Sequence, residues 1–226
     1  IYEIGRINRP EAYNLFFRKH RPLVERALRI EVDERLDAAG EVLRPLDDAE
    51  IERVAAVLRE EKVEAVAILF LHSYRNPEHE RRAAEIAAEC GDWFVTAWHT
   101  LSQEYSEYER TSTDVLNAFV GPKVSTYLGK LETLLAESGF KGRFFLMESN
   151  GGVADVATVK RLPVLLMESG PVGGIAGAIK LGEKLGQRNL ITFDMGGTTA
   201  KSALVQDGVV SFDSLYYVDG FEHGYP

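Results

Sequence analysis

The run Asp194-Met195-Gly196-Gly197-Thr198-Thr199 stands between two strand-forming stretches and confines this part of the chain to a strand, a tight turn and a second strand. The stretch before it is Asn189-Leu190-Ile191-Thr192-Phe193, and the one after it alternates through Lys201-Ser202-Ala203-Leu204-Val205. Two adjacent glycines let backbone N–H groups approach an anion closely, and the hydroxyls of Thr198 and Thr199 add donors. A carboxylate just ahead of such a turn, Asp194, can hold a divalent cation against phosphate, usually through water. After an apolar strand that carboxylate is costly if it is buried without a partner. The same residues also suit a glycine-rich turn that only turns, and pattern alone leaves both readings open.

Upstream, Ala65-Val66-Ala67-Ile68-Leu69-Phe70-Leu71 is an unbroken apolar run of strand length, as in a strand buried on both faces. Asp47 with Glu50 forms a capping-box pattern, and Ile51, Val54, Ala55 and Leu58 recur at helical spacing, predicting a helix over 48–61. Asn76-Pro77-Glu78 opens a second helix that continues to about Cys90, and Trp93–Ala97 is the next strand. Strand, helix, strand in this order points to parallel pairing under covering helices. Short strands at Leu28–Val32 and Glu41–Leu43 flank the turn at Asp37-Ala38-Ala39-Gly40. Between about residues 100 and 140 the spacing is helical, with Gly121-Pro122 dividing two helices. Arg143–Met147 and Pro163–Met167 read as further strands, and 171–185 as a helix of small residues. Asp207-Gly208 makes a tight turn before Val209–Phe212. The reading is a mixed α/β domain with a sheet of about five strands and a helical insertion.

Composition narrows the function. The net charge of −9 argues against a nucleic-acid partner, whose surfaces call for basic patches. No apolar run nears the roughly 18 residues that cross a bilayer. Cys90 is the single cysteine, so no internal disulfide forms, and a reducing, cytoplasmic setting is compatible.

Several stretches, in order along the chain, resemble the hydantoinase/5-oxoprolinase family. They are Phe70-Leu71-His72-Ser73-Tyr74-Arg75-Asn76-Pro77-Glu78-His79-Glu80, Tyr108-Glu109-Arg110-Thr111-Ser112-Thr113-Asp114-Val115-Leu116-Asn117-Ala118, Met147-Glu148-Ser149-Asn150-Gly151-Gly152, Ser169-Gly170-Pro171-Val172-Gly173-Gly174 and the Asp194 turn. More broadly, the turn is similar to the second phosphate hairpin of the sugar kinase, heat-shock 70 and actin superfamily. The resemblance implies a ribonuclease H-like, actin-like ATPase lobe using ATP and magnesium. It implies a small cyclic amide as substrate, phosphorylated on its carbonyl, and a second, B-type subunit. It also implies a polypeptide of several hundred residues, so that residues 1–226 are a fragment completed by the rest of its own chain. Residues 1–45 then form a connecting segment with a small hairpin, and 46–226 part of the lobe. Related acetone and acetophenone carboxylases, or a non-catalytic nucleotide-binding subunit, are the alternatives.

The resemblance carries roles onto particular residues. Asp194 becomes the catalytic carboxylate and, through water, the magnesium ligand. Gly196, Gly197, Thr198 and Thr199 contact phosphate, as do Gly173 and Gly174 if a ligand rather than a helix closes on their small-residue helix. Asn150, Gly151, Arg110 and Glu168 are candidates for the substrate side, against an Asn-Gly turn for the first two and an internal salt bridge for Arg110. Lys201 departs from the family pattern, which most often has Asp there. It can reach phosphate, neutralise Asp194 or point to solvent. The five histidines read as ordinary polar residues.

Overall fold

The computed structural model describes residue 2 and residues 13–17, 21–101, 103, 105–197, 199–211, 216–218 and 221–223, the last two stretches by their backbone. The chain gathers into two compact units, Ile1–Val124 with Leu215–Tyr225, and Ser125–Ser214.

In the first unit, β1 (Arg35–Leu36) and β2 (Val42–Arg44) pair antiparallel around a turn where Gly40 has φ +89°. The Asp37 carboxylate holds that turn, accepting from Ala39 N at 2.8 Å and Glu41 N at 2.9 Å. The strand expected at 28–32 does not form. A 3-10 turn covers Arg26–Leu28, and further on the Glu50 carboxylate takes the Asp33 N–H at 3.0 Å. Helix α1 (Asp48–Glu60) starts where its cap predicts, with Asp47 accepting from Ala49 N at 3.0 Å. Glu50 therefore serves the neighbouring segment and not its own cap.

Strand β3 (Ala65–Ile68), helix α2 (Glu78–Cys90) and strand β4 (Phe94–Ala97) make one βαβ unit, with β3 and β4 parallel in the register Ala65↔Phe94 to Ile68↔Ala97. The Asn76 side chain starts α2 by accepting from Glu78 N at 3.1 Å. Ile51, Ile68, Ala83, Ile86, Ala87 and Ala97 form the core between α1, α2 and the strands. The alanines keep bulk off the α2 face, so helix and strands approach closely.

One helix, α3 (Glu107–Glu137), replaces the two expected around Gly121-Pro122, and Pro122 lies inside it. A proline within a helix costs about 3 kcal/mol. Buried Val115, Leu116 and Ala118 before it and Leu128 after it offset that cost. Gly121 makes room for a neighbour. An added Cβ would lie 2.6 Å from the Phe94 ring, so only glycine lets the helix pass there.

The second unit takes the end of α3, then the hairpin β5 (Phe145–Met147) with β6 (Val153–Asp155) and helix α4 (Val156–Arg161). Asp155 caps α4 by accepting from Thr158 N at 2.8 Å. Residues 163–167, expected as a strand, instead form a 3-10 turn at Pro163–Leu166. Pro163 offers no N–H to a ladder, and Val164 and Leu165 are buried by the turn itself. Helix α5 (Ser169–Leu185) precedes the antiparallel meander of β7 (Leu190–Met195), β8 (Ala200–Gln206) and β9 (Val209–Val210). Asp207 and Gly208 both have positive φ, +52° and +81°, the pattern of a type I′ hairpin turn. Helix α5 packs on β7 and β8, where a Cβ on Gly182 would meet Leu190 Cδ1 at 2.7 Å. The last strands, β10 (Tyr216–Val218) and β11 (Phe221–His223), pair antiparallel and belong with the first unit.

The sheet of about five strands is thus not found. Among the described residues the strands form four two-stranded sheets and one three-stranded sheet. The apolar runs at 65–71 and 190–194 that suggested one sheet lie in different units and in different sheets.

Candidate functional site

In the second unit the glycine turn closes β7 onto β8. The register sets Asp194 across from Lys201 and Met195 across from Ala200, and the Gly196 N–H donates to Thr199 O at 3.0 Å. Thr198 lies outside the described residues. The Asp194 side chain is exposed, so the burial cost expected after an apolar strand does not arise. Strand alternation puts Asp194 on the face of Leu190 and Thr192, and the opposite face is open as well, with Ile191, Phe193 and Met195 79%, 68% and 71% exposed. Around Gly196 and Gly197 an added Cβ would meet nothing within 4 Å. The approach to their backbone is open.

Lys201 takes an option that its own neighbourhood in sequence did not suggest. Its ammonium pairs with the Glu168 carboxylate. Glu168 precedes α5 in a left-handed conformation, φ +64°, and its side chain caps nothing. For a residue with a Cβ this conformation is uncommon and costs about 1–3 kcal/mol. Thus Glu168, Lys201 and Asp194 are brought to one end of the β7–β8 hairpin. Beside the first turn of α5 sits the loop of Asn150 and Gly151, where a Cβ on Gly151 would be 3.6 Å from Val172 Cγ1. Asn150 accepts from Gly152 N at 2.7 Å, and Gly151 has φ +86°, so both residues do form a turn. Gly173 lies 3.6 Å from Met147 by the same measure, while Gly170, Gly174 and Gly177 face open space. Among the described residues no second helix closes on this glycine face.

At this end of the unit the Gly-Gly backbone is unobstructed, with the Gly196 N–H already taken by Thr199 O, and the exposed Asp194 carboxylate can hold a cation. Among the described residues no group of three or more His, Cys, Asp or Glu side chains could hold a metal. A magnesium ion at Asp194 would therefore take its remaining oxygens from water and phosphate.

Arg110 belongs to the first unit and is 2% exposed. Its guanidinium lies over the rings of Tyr74 and Trp98, 5.7 and 5.6 Å from their centroids. It donates to Ser73 Oγ and stands 4.0 Å from Glu80 Oε1. Burial pulls its pKa below the usual guanidinium value, and Glu80 opposes that shift. One turn on, Asp114 is fully buried, and desolvation pushes its pKa well above the usual carboxylate range. It accepts from Thr96 Oγ1 at 2.6 Å, and Asn117 Nδ2 donates to the same hydroxyl at 2.9 Å. The visible contacts of Arg110 are internal. Reading the sequence missed Glu80, Thr96, Asp114 and Asn117. Arg110, Asp114 and Asn117 recur at i, i+4 and i+7, a polar stripe on one helix face beside the apolar Val115, Leu116 and Ala118, and that was the available signal.

Residues 110–226 match the family model described as hydantoinase/oxoprolinase, and residues 1–91 match that of its N-terminal region. The chain belongs to the hydantoinase/oxoprolinase family. An uncharacterised protein of Methanocaldococcus jannaschii is 40% identical over 99% of this chain and 33% of its own length. The crystal structure of an ATP-dependent caprolactamase from Pseudomonas jessenii matches with a TM-score of 0.76 and 35% identity, over 89% of this chain and 29% of that one. A nucleotide-free structure of acetone carboxylase, from work on ATP-dependent acetone carboxylation, matches with a TM-score of 0.83 and 32% identity, over 92% and 30%. The chain spans about a third of the length of the curated relative it matches. The mixed α/β class holds, in line with these two structures, and the helical stretch α3 follows its βαβ unit. Among the described residues no helix is long and apolar enough to cross a membrane.

Proposed function

We propose that the full-length protein is an ATP-dependent hydrolase of a small cyclic amide, and that residues 1–226 supply part of its nucleotide-handling lobe. The observation that carries this reading is the open Gly196-Gly197 turn with the exposed Asp194 carboxylate beside it. Asp194 holds magnesium through water, while Gly196, Gly197, Thr198 and Thr199 line the phosphates. The glycine face of α5, at Gly173 and Gly174, gives a ligand room to close in. Asn150, Gly151 and Glu168 stand on the substrate side. Arg110, in the first unit, has a positioning role through its internal contacts. ATP, when bound, supplies the phosphoryl group that makes an unreactive amide carbonyl open to water. The chain's own contribution is electrostatic and orientational. A second subunit completes the enzyme, and its setting is cytoplasmic.

Carboxylation of a ketone is the second reading, favoured by the TM-score of 0.83 to acetone carboxylase. Full-length protein with its partner subunit separates the two. Magnesium-dependent ATP consumption that requires a lactam or hydantoin supports the hydrolase, and consumption that requires a ketone with bicarbonate supports the carboxylase. Residues 1–226 alone should show no substrate-dependent turnover, because one phosphate hairpin leaves much of the orientation unsupplied.

A further inference from the structure

Lys201 and Asp194 face each other across the β7–β8 hairpin. Side chains so placed in an antiparallel pair stand about 4.5–5.5 Å apart at Cβ, close enough for a lysine to reach a carboxylate. These two do not pair. The Lys201 ammonium goes to the Glu168 carboxylate, and among the described residues Asp194 has no ion pair. The three meet because of how α5 lies on the hairpin. Leu190, Thr192 and Asp194 share one face of β7, across from Val205, Ala203 and Lys201 on β8. Leu190 lies against Gly182, near the end of α5, and Val205 is fully buried. Glu168 stands just before the start of α5 and reaches Lys201 at the other end of that face. Stability does not account for the pair. The Lys201 and Glu168 side chains are 37% and 47% exposed, and an ion pair in that setting adds little. Glu168 sits at φ +64°, a strain that such a pair does not offset and that a glycine would avoid.

We infer that Glu168 is a positioning residue for the metal at Asp194: it engages Lys201 and so keeps the Asp194 carboxylate from being neutralised across the hairpin. The inference rests on the reading above that Asp194 holds magnesium beside phosphate. A carboxylate paired to an ammonium is a poor metal ligand, because the ammonium repels the incoming cation and competes for the same oxygens. With its charge gone from position 168, Lys201 turns to the carboxylate that faces it on β7. Glu168 thus acts on the metal only through Lys201, and taking Lys201 away makes Glu168 dispensable for metal binding. That dependence separates this role from a ligand role for Glu168 and from a plain tether between β8 and α5.

The test reads nucleotide binding and not turnover. Full-length protein with its partner subunit is titrated calorimetrically with ADP, once with excess magnesium and once with EDTA. The ratio of the two Kd values measures what the metal contributes. No amide is present, so any contact of Glu168 with substrate stays out of the readout. In Glu168→Gln the ratio should shrink about tenfold, through weaker binding with magnesium, while the Kd in EDTA does not weaken. Lys201→Ala should bind ADP with magnesium at least as tightly as wild type. The double variant Glu168→Gln/Lys201→Ala should recover the wild-type ratio, because no ammonium is left to capture Asp194. A tether predicts the opposite: Lys201→Ala alone would do the damage of Glu168→Gln, and the double variant would recover nothing. Glu168→Gly, which also relieves the left-handed strain, should melt no lower than wild type and still lose the ratio, so the effect is read in a sound fold. An unchanged ratio in Glu168→Gln, or a loss that Lys201→Ala does not rescue, would overturn the inference and leave the role of Asp194 standing. Weaker ADP binding by Lys201→Ala in EDTA would make Lys201 a phosphate ligand and overturn it too. Wild type whose ADP affinity ignores magnesium, or Asp194→Asn with the wild-type ratio, would sink the magnesium reading and this inference with it.

Discussion

The two units keep their chemistry-bearing residues in opposite conditions. In the first, Glu80, Arg110, Asp114, Thr96 and Asn117 are almost wholly out of water and hold one another. In the second, Asp194, Lys201 and Glu168 gather at the end of a hairpin with open backbone beside them. A buried polar set resists change, because any loss leaves a group unpaired away from water. An exposed set costs little to alter and has little reason to be so arranged except for what it meets. Stability variants should therefore concentrate in the first unit, and activity variants that spare stability in the second.

The sharpest break of that contrast is Glu80→Leu. It leaves the Phe70 and His99 N–H groups without their acceptor and Arg110 without its nearest counter-charge. A loss of about 3–5 kcal/mol in unfolding free energy is expected, measured by urea denaturation. A loss below about 1 kcal/mol would mean that the network is looser than its geometry.

Asp114 gives a pH signature. Its pKa is raised in the folded state, so the native protein binds more protons than the unfolded chain above the unfolded value of about 4. Its contribution is fully present below that pH and is lost as pH rises through the folded value. Asp114→Asn should flatten this decline, seen as a smaller drop in melting temperature from pH 4 to pH 7. Equal slopes in both proteins would show that Asp114 is not held neutral.

Much of this architecture was legible in the sequence. Asp47, Asn76 and Asp207-Gly208 mark their elements through local chemistry, and the apolar run at 65–71 places β3. What local chemistry could not show came from distant partners. Phe94 against Gly121 lets α3 run through a pair that reads as a break, and Glu50 reaches across to take the Asp33 N–H just past the strand expected at 28–32. The glycine turn was readable because its residue types are unusual. Glu80 was not: a glutamate in a helix normally faces water, and only the fold reveals what it touches.

The smallest effect belongs to the α5 glycines. A Cβ on Gly174 meets nothing within 4 Å, so Gly174→Ala should raise stability by up to about 1 kcal/mol through helix propensity. If a ligand closes on that face, kcat of the full-length enzyme should fall although the melting temperature rises. Unchanged kcat would remove this face from the site.

Asp194→Asn tests the central claim most directly, with magnesium-dependent ATP consumption by the full-length enzyme read beside a thermal melt. The amide keeps the shape and turn-forming ability of the acid but loses the charge that holds magnesium or its waters. The side chain is exposed, so the melting temperature should match wild type while most of the activity disappears. Wild-type turnover in that variant would contradict the account and leave the hairpin as a turn.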